Sequence, residues 1–172
     1  MKKKMKGNAL SSSCKTKLAS PTDYNRLIPE MEAWNNGKGI DVESWIRCSG
    51  NYQFAIGYSR IFWPRFVEFE KYILRDGFSL DSLRGFERQP NAKRENVEVV
   101  MNHLHIGDIH YHDLRNLTRK QAVYLGVVLR EIYQVKLAWQ FPSRRFEIFF
   151  DESRQEDIIA YEITFSQIPG PV

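Results

Sequence analysis

Cysteine is scarce in this chain of 172 residues: there are two, Cys14 and Cys48, and no C-x-x-C. That excludes a disulfide framework and a cysteine-rich metal ribbon, and it makes a reducing, cytoplasmic setting the expectation. Long apolar runs are also missing. No window approaches the roughly 18 apolar residues of a membrane-spanning helix, so no span is expected. Lys2 to Lys6 has the charge of a secretory leader's start, but Gly7, Asn8 and Ala9 cannot serve as its apolar region, so export is not expected. The 10 glycines fall into neither G-x-G-x-x-G nor G-x-x-x-x-G-K, which removes the phosphate-cradling loops.

Positive charge is abundant overall and absent where a nucleic-acid-binding body needs it. The net charge is +4, yet Lys2, Lys3, Lys4, Lys6, Lys15 and Lys17 carry +6 within the first twenty residues, where no acid occurs. The remaining 19 basic and 21 acidic side chains leave the rest at −2. Counterion release requires clustered cations, so nucleic acid is expected to bind only weakly, through the Lys tail. The expected organisation is a disordered basic tail over 1–20 and a single α+β domain over 21–172.

Aromatic residues are what the chain has in excess: 11 Phe, 8 Tyr and 4 Trp. Rings of this number fill a core or anchor a protein partner, since Trp and Tyr dominate interface hot spots. Trp139, Phe141, Arg144 and Arg145 stand close together and form the candidate partner-binding patch.

Periodicity indicates a predominantly helical α+β domain ending in an antiparallel β-hairpin. A first helix capped by Thr22 or Asp23 carries Leu27, Met31 and Trp34, with Pro29 inside it, and stops at Asn35-Asn36-Gly37. Asp41 caps a short helix through Trp45 and Cys48 that Gly50 closes, which places Cys48 as a packed, inert thiol. The stretch Tyr52 to Ser59 fits both a strand and a helix. Pro64 suits the first position of a helix carrying Phe66, Phe69 and Ile73, ended by Asp76-Gly77, and Glu68 and Glu70 would then face different ways. A helical turn through Leu80, Leu83 and Phe86 follows. Thr118 and Gln121 form a capping box for a long helix to about Trp139, whose broad apolar face makes it the centre of the core. Phe146, Ile148 and Phe150, then Ile159, Tyr161, Ile163 and Phe165, alternate as the two strands of the hairpin. The acidic loop Asp151, Glu152, Glu156 and Asp157 joins them as a solvated turn.

All four histidines lie within ten residues: His103, His105, His110 and His112. In one arrangement a type II′ turn at Gly107-Asp108 opposes His105 with His110 and His103 with His112, all four on one face. They would then hold zinc or another transition metal, with Asp108 or Asp113 in support. In the other, a helix from near Asn91 carries Val97, Val100, Met101 and Leu104 and stops at Gly107, which scatters His103 and His105 around its last turn. Four stripe positions and two end signals favour the helix. Gly107-Asp108-Ile109-His110 looks like one block of the calcineurin-type metallophosphoesterases, but the other blocks need histidines outside 103–112. The zincin H-E-x-x-H and the H-x-H-x-D-H of metallo-β-lactamases are also absent.

These readings make the protein a small non-enzymatic binding or interaction protein, an inhibitor, immunity-type or accessory factor. It would need no cofactor and would act on a protein partner or a second copy of itself. The alternative is a metal-dependent enzyme or metal-binding protein using the histidine cluster.

Overall fold

The computed structural model describes residues 22–90, 92–153 and 157–169. The tail over 1–20, expected to be disordered, lies outside them. The described chain is mixed α+β and mostly helical. Its helices are α1 (Trp34–Gly37), α2 (Val42–Ser49), α3 (Tyr52–Phe62), α4 (Leu80–Glu87), α5 (Arg94–Met101) and α6 (Arg119–Gln140). The strands are β1 (Phe66–Phe69), β2 (Tyr72–Arg75), β3 (Leu104–His105), β4 (Phe146–Phe149) and β5 (Glu162–Gln167). Four 3₁₀ segments join them, the longest being Ile106–Asn116.

Three local signals act as their chemistry predicts. The Asp41 carboxylate accepts the Ser44 N–H and caps α2, and the C-cap is Gly50. Thr118 and Gln121 exchange both bonds of a capping box at the start of α6. Strand β5 pairs antiparallel with β4, Ile148 opposite Phe165, so the C-terminal hairpin forms. Its far strand begins later than the alternation indicates, because Ile158–Ala160 is a 3₁₀ turn and Ile159 points outward. The segment that fitted two periods, Tyr52 to Ser59, is helical, and the Asn51 side chain caps it by accepting the Phe54 N–H.

Two expected helices are replaced. No regular helix spans 22–37: Pro29 opens a 3₁₀ turn, and Asn35 and Asn36 adopt φ of 56° and 55°, which breaks any continuing helix. After Pro64 the chain forms the hairpin β1–β2 instead of a helix, Phe69 opposite Tyr72. Glu70 takes φ 54° in the turn, and neither it nor Lys71 is a usual hairpin residue, so the turn is silent in the sequence. The hairpin forms because β2 is buried on both faces. Ile73 packs into the main core with Phe66, Leu129, Tyr133 and Phe165, while Tyr72 and Leu74 pack with Leu83 and Val97 into a second cluster. That period-two split is available only to a strand.

Helix α5 also stops earlier than its apolar stripe indicates, at Met101. Asn102 is fully buried, its amide donating to the carbonyls of Ile73 and Phe165 and its oxygen accepting the Arg75 N–H. One turn earlier the buried Glu98 accepts from the N–H of Ile73 (2.8 Å), the N–H of Gln167 (2.7 Å) and the Gln167 side chain. Glu98 of α5 and Asn102 at its C-cap thus bridge β2 to β5 where backbone pairing is missing. Beyond them Leu104 leaves the stripe and pairs with Ile163, which makes β5 the central strand in the order β3-β5-β4.

Candidate functional site

Neither expected arrangement of the histidines forms. Gly107 is buried within the 3₁₀ segment and closes no hairpin. Its missing side chain makes room for Leu114, whose Cδ1 would lie 2.6 Å from an added Cβ. His103 and His105 lie before this segment with ring centroids 5.3 Å apart, His103 Nδ1 on the Val100 carbonyl and His105 Nε2 3.9 Å from Glu162. His110 points elsewhere. Its Nε2 bonds the Tyr58 hydroxyl and its ring packs edge-on against Phe54 and Tyr58 of α3. His112 lies edge-on beside Tyr111 and is exposed. Among the described residues no group of three or more His, Cys, Asp or Glu is placed to hold a metal ion. Burial of Tyr58 raises its phenol above the ordinary value, which favours the neutral hydroxyl in the bond to His110.

The four residues of the candidate partner patch separate. Phe141 packs with Phe146 against the main core. Arg144 is held by Glu68 and by the Gln167 oxygen, so its charge is neutralised. Arg145 is exposed, and its carbonyl accepts the Ile168 N–H. Trp139 is exposed and meets different company: the Trp63 ring lies 6.4 Å away, and the Lys136 ammonium sits 4.6 Å and 4.4 Å from the two ring centroids. Trp63 and Trp139 are far apart in sequence, and no local spacing links them.

The most open apolar surface belongs to α2 and α3. No residue of either helix is buried. Ile46, Tyr52, Phe54 and Ile56 are exposed, Tyr52 at 87%. The inner side of α3 touches the body through Ile61 and Phe62, the Tyr58–His110 bond and a bond from Arg60 to the Asp76 carbonyl. Between the two helices lies a groove of about 710 Å³ that includes Trp45, Ile46, Tyr52, Phe54 and Tyr58. A sequence signal for it existed: Tyr52, Phe54, Ile56, Tyr58, Ile61 and Phe62 make α3 apolar around most of its circumference, and one body cannot cover all of that.

Other candidates have local roles. Cys48 is exposed on α2 and not packed, because α2 lies at the surface with no buried position. In the acidic loop Asp151 accepts from Ser153, and Glu152 pairs with Arg130 at 2.8 Å; Glu156 lies outside the described residues. Glu68 and Glu70 bind Arg144 and Arg84 respectively. No known family model matches the chain, and no curated protein or solved structure resembles it significantly.

Proposed function

We propose that this protein is a non-enzymatic binding protein whose recognition surface is the α2–α3 pair, and that the ligand of that surface is a protein. The observation that carries the reading is two consecutive helices without one buried residue, presenting Ile46, Tyr52, Phe54 and Ile56 outward. Clustered apolar exposure of this kind marks interaction sites. The groove is large enough to accept an anchoring side chain from a partner. Charge favours a protein over a bilayer: Glu43 and the capping Asp41 balance Arg47 and Arg60 across this pair, whereas helices that lie on anionic membranes are rich in Lys and Arg.

The test places a photo-crosslinking residue at position 52 of the full chain, with Ile56→Asp as the control. A discrete crosslinked protein that disappears with Ile56→Asp supports the reading, and its mass separates a second copy from a different protein. A protein that remains monomeric in sedimentation and gives no crosslink sensitive to Ile56→Asp refutes it.

A further inference from the structure

One region of the molecule gathers positive charge around two exposed indoles. The Arg60 guanidinium donates to the Asp76 carbonyl at 3.1 Å, and the Asp76 N–H donates to the Arg65 carbonyl at 2.9 Å. Arg75, the neighbour of Asp76, pairs with Phe66, the neighbour of Arg65, at the open end of the β1–β2 hairpin. The Arg60 guanidinium therefore reaches the end of the hairpin from which Arg65 and Arg75 leave the backbone, and Arg65 follows Trp63 by two residues. Helix α6 brings Lys136 and Trp139 to the same place, and Arg75 is near enough to Tyr133, three residues before Lys136, to influence its phenol.

Six other arginines, Arg26, Arg47, Arg84, Arg94, Arg130 and Arg144, have carboxylate partners. Among the described residues no carboxylate pairs with Arg60, Arg65, Arg75 or Lys136, and Asp76 offsets one of their four charges. Lys136 is 7% exposed. The two indoles cover much of its length, and the ammonium lies against both ring faces.

The indoles specify which anion suits these cations. Trp63 and Trp139 are 51% and 68% exposed and offer flat apolar faces beside the cations. An acidic peptide would satisfy the charges and leave those faces without a planar partner. A single-stranded nucleic acid supplies both, phosphates for the cations and bases for the rings. We propose that Trp63, Trp139, Arg60, Arg65, Arg75 and Lys136 form a binding site for single-stranded nucleic acid, with bases stacked on the indoles and phosphates on the cations. This site stands on observations separate from the exposed positions 46, 52 and 56, and either proposal can fail alone.

The experiment titrates the full chain into fluorescein-labelled oligothymidylate and oligouridylate of about a dozen nucleotides and reads anisotropy at several salt concentrations. Affinity is expected to fall with a log–log salt slope of about −2 to −3, the value for three or four phosphates on a single strand. Trp139→Ala is expected to weaken binding about tenfold, and Trp139→Phe to retain part of it. Joint Arg65→Gln and Arg75→Gln substitution is expected to flatten the slope. Circular dichroism checks that each variant folds. Three results overturn the proposal: binding that survives these substitutions but is lost when Lys2, Lys3, Lys4 and Lys6 become Gln, equal affinity for duplex, or binding of a poly-glutamate peptide with none of the oligonucleotides.

Discussion

Glu98 and Tyr133 are the two side chains at which burial and bonding disagree most instructively. Glu98 is fully buried and accepts three bonds, two of them from backbone N–H groups on different strands. A carboxylate only accepts, whereas an amide must turn an NH₂ toward one of those donors. Glu98→Gln is therefore expected to lower stability by about 2–3 kcal/mol in urea unfolding, the cost of a charged hydrogen bond replaced by an unsatisfied donor pair. A loss below half of that would mean that the bridge is not needed to hold β2 to β5. Tyr133 is also fully buried, yet its hydroxyl has no hydrogen-bond partner among the described residues. Tyr133→Phe removes a desolvated polar group and is expected to be neutral or stabilising by up to about 1 kcal/mol.

The same burial sets an alkaline limit. Desolvation raises the phenols of Tyr133 and Tyr72 above their ordinary value of 10.0, against a smaller opposing pull from Arg75 on Tyr133. The unfolded chain then releases protons that the folded chain keeps. Their contribution is intact below pH 10 and declines as pH rises through the folded-state values. Tyr133→Phe should shrink that decline when the urea midpoint is followed into alkaline pH, and an unchanged decline would locate it in other groups.

Among the elements, α6 accepts a local penalty for the sake of packing. Gly126 lies in its middle, where glycine costs about 1 kcal/mol relative to alanine. A Cβ there would lie 2.0 Å from Cζ of the Phe150 ring. The ring is rigid and held between Tyr161 and the core. Gly126→Ala is expected to lower stability by about 1–2 kcal/mol, because the over-packing cost of up to about 3 kcal/mol exceeds the helix gain. A rise in melting temperature would show that Phe150 can move aside. Helix α3 presents the opposite case. Tyr52 and Ile56 touch too little for their loss to matter, so Ile56→Asp is expected to change stability by less than about 0.5 kcal/mol. A larger loss would place Ile56 in the packing of the fold and remove it from the binding surface.

In the molecule as a whole, β2 divides the hydrophobic interior into two clusters, and α6 and α5 close them from opposite sides. Elements whose signals are local were legible in the residues themselves. Asp41, the Thr118–Gln121 box and the alternation through Phe165 act within a few residues, and α2, α6 and the C-terminal hairpin formed accordingly. The apolar positions from Phe66 to Ile73 were legible as core but not as strand. Their period is decided by what lies on each side of β2, and no neighbour in the chain reports that.

The binding surfaces follow the same division. Charge, aromatic excess and the gathering of four histidines are properties of the chain alone. Whether rings converge depends on backbone paths across long sequence separations. Tertiary structure turned His110 toward Tyr58, left Tyr52 and Ile56 uncovered, and brought Trp63 to Trp139 over Lys136. Short-range hydrogen bonding and hydrophobic period are encoded residue by residue, while the meeting of distant side chains is settled by which apolar faces can be buried together.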